Sequence, residues 1–197
     1  MLNWPNRITI ARILLTPVLV MLAIRADEGP QFRTWTLVLF VALVLTDAVD
    51  GFLARALKQK TELGTFLDPL ADKVLLTTAL VLLICPLWPD PAAGTRVRLL
   101  PASVAVVIIS REVILALGTL LIFVLAGSVT IRPSILGKLT TVLQSAMIAG
   151  TLWGTAEPVR TPLLWGTVLV TVASFVGYAY DGCRQLARIG DEKPPRT

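Results

Sequence analysis

Four aspartates dominate the chemistry this sequence could perform. Asp47 and Asp50 stand three residues apart, and Asp68 and Asp72 four apart, in the run DAVDGFLARALKQKTELGTFLDPLADK. On helices, those spacings put each pair on one face. Four carboxylates gathered at one depth repel each other unless cations neutralise them. All-oxygen donors suit hard divalent ions such as Mg²⁺ or Mn²⁺, and two such ions would balance the four charges. Two-metal sites hold their ions about 3.5–4 Å apart and clamp the attacking and leaving oxygens of a displacement at phosphorus. The pattern points to phosphoryl-type transfer at a membrane surface. Any one of these aspartates alone would more simply cap a helix end or pair with Arg55 or Lys73. Four in matched pairs, with small residues between, favour the site.

The elements that must carry them are membrane helices. Of 197 residues, 55% are hydrophobic and only 16% charged. That is too apolar for an ordinary soluble domain and calls for spans of about 18 or more apolar residues. The sequence predicts six: Ile13 to Ile24 with a polar-edged start from Ile8, Trp35 to Ala56, Val74 to Trp88, Ala102 to Ala126, Leu139 to Trp153, and Leu163 to Tyr180. The expected fold is all-α and polytopic, a single domain over residues 1–189 with a disordered tail over 190–197. Arg12 beside the first apolar run and the lack of a small-x-small site argue against a cleaved leader. Aspartates inside membrane helices are costly and mark functional sites. The polar stretch Lys58 to Glu62, ending at Gly64, is long enough for a turn, so an antiparallel hairpin would bring both Asp pairs to one depth.

Orientation follows from the basic residues. With the N-terminus in the cytoplasm, Arg7, Arg12, Lys58, Lys60, Arg132, Lys138, Arg184 and Arg188 fall on the inner side, while Arg25, Arg33, Arg96, Arg98 and Arg160 fall outside. The formal net charge of +5 is then a feature facing anionic lipid, and not a nucleic-acid surface. The chain has no histidine, which removes Ser-His activation and the zinc motifs that need His. Cys85 and Cys183 sit in or beside apolar spans and read as packing residues.

Small residues flank the acids. Gly51 and Ala54 leave room for a bulky ligand, Arg55 offers a planar fork for a diphosphate, and Gly64 permits a sharp turn or a close approach. Helix packing alone would also use such glycines. The pattern Asp47-x2-Asp50-Gly51-x2-Ala54-Arg55-x8-Gly64-x3-Asp68-x3-Asp72 resembles the signature of the CDP-alcohol phosphotransferases at all eight defining positions. The six-helix layout and the segment Asn3-Trp4-Pro5-Asn6 extend the resemblance. It implies metal ligation by Asp47, Asp50, Asp68 and Asp72, with Asp72 also taking the proton of the acceptor hydroxyl. It implies a CDP site lined by Gly51, Ala54, Arg55 and Gly64. It further implies a homodimer with active sites open to the cytoplasmic side, and CDP-diacylglycerol as donor, with CMP released.

Two basic residues bear on the acceptor. Arg111 lies inside the fourth apolar span beside Glu112, and Lys138 opens the fifth. A structural Arg111–Glu112 pair is the plain alternative for the first, although neighbours on a helix point in different directions. Interfacial snorkelling is the alternative for the second. Leu70-Ala71-Asp72-Lys73, Arg111-Glu112 and Lys138-x2-Thr141-Val142-Leu143-Gln144 resemble the bacterial phosphatidylglycerolphosphate synthases of this family. That subgroup takes glycerol 3-phosphate and resides in the cytoplasmic membrane. Gly118-Thr119 and Thr140 depart from it where further basic residues are common. Arg132-Pro133-Ser134 before Gly137-Lys138 resembles the family's cardiolipin synthases, whose acceptor is phosphatidylglycerol. A transporter or channel using the aspartates as an ion site is the reading from outside the enzymes, though broken helices and inverted repeats are not evident.

Overall fold

The computed structural model describes the backbone over residues 4–56, 62–90, 94–126 and 135–191, and side chains over 9–47, 71–90, 94–118, 135–180 and 182–183. Within them the chain is mostly helical. The α-helices are α1 (Trp4–Ile24), α2 (Pro30–Ala56), α3 (Glu62–Ile84), α4 (Ala102–Ala126), α5 (Ile135–Trp153) and α6 (Glu157–Asp191). A 3-10 turn, Arg25–Asp27, joins α1 to α2, and a short antiparallel pair, β1 (Trp88–Asp90) with β2 (Thr95–Val97), lies between α3 and α4. Three stretches among the described residues are long and apolar enough to cross a membrane: Thr9–Asp27, Ile135–Trp153 and Glu157–Tyr180.

Apolar residues surround these helices on all sides, so no single stripe defines the inside. Leu19, Phe40, Leu75, Ile108 and Met147 are buried at the centre, while Leu14, Leu45, Leu117, Trp153 and Leu169 stay on the outer surface. That distribution suits a bundle whose exterior meets hydrocarbon. Each helix packs on two others in the cyclic order α1, α3, α4, α6, α5, α2, and α3 also meets α5. Most buried threonines inside this apolar body are satisfied within their own helix. Thr16, Thr36, Thr140, Thr151, Thr167 and Thr171 each donate to the carbonyl one turn earlier. That contact removes the need for water or another helix.

The third helix differs from the sequence expectation at both ends. The third helix starts at Glu62, well before Val74, and stops at Ile84. Pro86 has no N–H and disfavours a helical residue before it, so Trp88 opens a strand instead of ending a span. Trp88 is fully buried, and its indole N–H donates to the Leu82 carbonyl at 2.9 Å. Gly64 lies within α3 and is helical, so it makes no turn. The sixth helix continues to Asp191, and the rest of the expected tail lies outside the described residues.

The end of α5 is closed by two devices. Gly154 follows Trp153 with φ 83, the left-handed conformation that glycine adopts without penalty. From α2, Arg33 donates through Nε to the Leu152 carbonyl and through Nη2 to the Thr151 carbonyl, both at 2.8 Å. A cation at a helix C-terminus also meets the negative end of the dipole. Arg33→Met should therefore cost on the order of 1.5–3 kcal/mol of stability. The check is thermal unfolding in detergent, with Michaelis constants for both substrates expected to stay near wild type.

Candidate functional site

Five of the six helices contribute to one polar chain. It begins on α1, where Arg12 lies in an apolar helix one turn before Pro17, a residue that cannot donate to the Ile13 carbonyl. The Arg12 residue is only 2% exposed, and its guanidinium pairs with the Asp47 carboxylate on α2. Asp47 keeps 38% of its side chain exposed, so the carboxylate opens toward solvent or ligand while the arginine stays inside.

Asp72 and Lys73 sit on α3. Asp72 lies within electrostatic reach of Asp47 and Glu112 as like charges, and of Arg12 and Lys73 as opposite ones. Among the described residues it has no hydrogen-bond or ion-pair partner. The neighbouring lysine, one of the simple partners expected for an aspartate, turns elsewhere. Lys73 Nζ lies 3.1 Å from Glu112 Oε2 on α4. The other Glu112 oxygen pairs with Arg111. Arg111 is buried at 8% exposure, donates through Nη2 to Ser174 Oγ on α6 at 2.9 Å, and stands 5.9 Å from the centre of the Tyr178 ring.

The structure thus brings Asp47 and Asp72 together and adds Arg12, Lys73, Arg111 and Glu112 around them. Asp50, Gly51, Ala54 and Arg55 fall on the backbone of α2, and Gly64 and Asp68 on that of α3. Their side chains lie outside the described residues. Lys138 is exposed in the first turn of α5, and no described contact joins it to Arg111. The Arg111–Glu112 pair does form, because two long side chains can converge although their Cβ atoms diverge. Arg12 was legible only as a charge near one membrane face, and Ser174 and Tyr178 gave no sequence signal beyond being polar in an apolar span.

Among these described side chains the acids Asp47, Asp72 and Glu112 face the bases Arg12, Lys73 and Arg111, an even balance. Cationic side chains thus take on part of the neutralisation that the sequence alone assigned to metal. No group of three or more His, Cys, Asp or Glu placed to hold a metal occurs among the described residues. Even so, the donor chemistry fits a hard divalent ion. Asp47 and Asp72 come from different helices and lie within electrostatic reach of each other, the second without an ion-pair partner among the described residues and the first partly exposed.

The CDP-alcohol phosphatidyltransferase family model matches residues 2–173. The chain belongs to that family. As a CDP-alcohol phosphatidyltransferase it is an enzyme, and the reading as an ion transporter or channel falls away. A CDP-diacylglycerol–glycerol-3-phosphate 3-phosphatidyltransferase of Bacillus subtilis is 36% identical over 91% of this chain and 94% of its own length. The enzyme of the same name from Haemophilus influenzae is 35% identical over 89% and 91%. A human cardiolipin synthase (CMP-forming) is 30% identical over 95% of this chain and 64% of its own.

The ion pair between α1 and α2 can be tested without substrate. Breaking a fully buried pair costs about 3–5 kcal/mol, and partial hydration of Asp47 should bring Arg12→Gln below that range. The double variant Arg12→Gln/Asp47→Asn should recover part of the loss in detergent unfolding, since it removes both charges together. Strictly additive losses would show that the two residues do not interact.

Proposed function

We propose that this enzyme transfers the phosphatidyl group of CDP-diacylglycerol to glycerol 3-phosphate and releases CMP. The carrying observation is the Asp72 carboxylate, without an ion-pair partner among the described residues, beside a chain of paired charges, Lys73 and Glu112, that leads to the buried Arg111. The relatives named for this reaction, matched over nine-tenths of their length, support the same reading.

In this reading the acceptor hydroxyl attacks the β-phosphorus of the CDP-lipid. The bond from that phosphorus to the oxygen bridging it to CMP breaks, and CMP leaves with the electron pair. Asp72 takes the hydroxyl proton, a role that contributes roughly 10²- to 10⁴-fold in rate. Arg12 holds the Asp47 carboxylate in place beside it. Arg55, with Gly51, Ala54 and Gly64, lines the CDP moiety, and Arg111 with Lys138 receives the acceptor phosphate. Asp47, Asp50, Asp68 and Asp72 would hold two divalent cations, Mg²⁺ or Mn²⁺, which when bound offset charge developing on the phosphate oxygens.

The setting is a bilayer. Six membrane-spanning helices, a cytoplasmic N-terminus and an active site at the cytoplasmic face of a bacterial inner membrane accord with the alternation of the helices and with the distribution of basic residues. The enzyme acts as a homodimer in this reading. Phosphatidylglycerol as acceptor is the second reading, favoured by the human cardiolipin synthase match.

Purified protein offered CDP-diacylglycerol and each acceptor in turn should release CMP fastest with glycerol 3-phosphate. Preference for phosphatidylglycerol would replace the first reading by the second. Excess chelator should abolish CMP release, and Mg²⁺ or Mn²⁺ but not Zn²⁺ should restore it. Asp68→Asn should remain folded in detergent and retain less than about a tenth of activity, because the amide keeps the size and loses the charge a divalent ion needs. Arg111→Gln should lower kcat/KM for the acceptor by roughly tenfold to a few hundredfold, as loss of a charge-assisted hydrogen bond implies.

A further inference from the structure

Glu112 has no role in the reaction as derived, yet its two oxygens join the two halves of the site. Oε2 receives Lys73, the residue that follows Asp72 on α3, at 3.1 Å, and Oε1 receives Arg111. Arg111 is held a second time, through Nη2 to Ser174 on α6 at 2.9 Å, and its face meets Tyr178. Its Nε is buried with no hydrogen-bond partner among the described residues. A guanidinium is planar with donors in a rigid fork. Anchoring its two Nη groups on different helices fixes the plane and leaves the Nε edge as the part not yet satisfied.

We propose that Glu112 is a positioning residue for the acceptor. It sets the orientation of Arg111, and through Lys73 it ties α4 to the turn of α3 that carries Asp72. The separation between the anion-binding group and the proton acceptor is then fixed by one carboxylate. Ser174 is the second anchor of the same arginine. This role rests on the reading that Arg111 meets the acceptor phosphate. A residue that merely neutralised Arg111 would need only its charge, whereas a positioning residue needs charge and length, since one short carboxylate cannot span both bases.

The test is steady-state kinetics of the full-length protein in detergent, with CDP-diacylglycerol and glycerol 3-phosphate varied independently. Glu112→Gln should raise the acceptor KM about tenfold and leave the KM for CDP-diacylglycerol within about twofold. Glu112→Asp keeps the charge but should recover at most part of the loss. Ser174→Ala is the milder variant should the Glu112 substitutions fail to fold, and it should raise the acceptor KM by roughly threefold to tenfold. Wild-type acceptor KM in both Glu112→Asp and Ser174→Ala overturns the positioning role while leaving Arg111 as acceptor ligand. Equal rises in both substrates' KM with a lower unfolding temperature overturn it in favour of a structural bridge. If Arg111→Gln itself leaves the acceptor KM unchanged, the acceptor assignment fails, and the positioning role falls with it.

Discussion

Ionised side chains buried in a bundle with an apolar exterior must find partners across helices, and most of this structure follows from that need. A lone charge in such surroundings costs several kcal/mol. Arg12 and Asp47 join α1 to α2, Lys73 and Glu112 join α3 to α4, and Arg111 and Ser174 join α4 to α6. Each of these contacts crosses a helix pair that also packs through apolar residues. Apolar burial is non-directional and would tolerate rotation or sliding of one helix on another. The polar contacts are directional, so they select one register among those the leucines and valines would allow.

The opposite ends of the helices are secured differently. There Arg33 closes the last carbonyls of α5, Trp88 anchors the short hairpin to α3, and Arg96 pairs with Asp27 across the β2 segment and the turn after α1. These contacts go mainly to backbone or to exposed partners, and none involves Asp47 or Asp72. Among the described carboxylates of the site, Asp72 alone has no ion-pair or hydrogen-bond partner. A carboxylate that must take a proton, as proposed for Asp72, is poorly served by a fixed ion pair, so stability there comes from neighbouring contacts.

Much of this was legible in the sequence. The fourth helix, Ala102–Ala126, was bounded as found because its apolar span starts directly after Pro101 and only Arg111 and Glu112 bring charge into it. Family membership was legible in eight spaced positions, since motif spacing is a local property. That Asp47 and Asp72 come together was foreseeable from the motif, but not through the expected hairpin: among the described residues α2 and α3 are not packed on each other, and α1 lies between them with Arg12 near both acids. Arg12 could not be read as the partner of Asp47, because their separation in sequence gives no periodic signal and α1 looks like any apolar span. Ser174 was hidden for the same reason: it lies 63 positions from Arg111, and only the packing of α6 on α4 unites them. The third helix was begun too late because the polar residues from Glu62 onward look like a loop by hydropathy, while their backbone is helical.

The double anchoring of Arg111 also bears on which acceptor the site suits. A lipid acceptor is held by its acyl chains and presents its headgroup at a depth set by the bilayer, so it gains little from a rigid anion-binding group. Glycerol 3-phosphate has no such anchor. Its reacting hydroxyl is separated from its phosphate by a short carbon chain, so fixing the phosphate fixes the hydroxyl to within a few bond rotations. On the proposal that Arg111 binds the acceptor phosphate, an arginine held by Glu112 and Ser174 would act on that molecule as a gauge, with mostly orientational benefit. Loss of translational and rotational freedom weighs most on the smaller acceptor, and a preorganised guanidinium lowers that cost before binding. On that proposal, the double anchoring of Arg111 supports the small phosphomonoester by a physical argument separate from the names of the relatives.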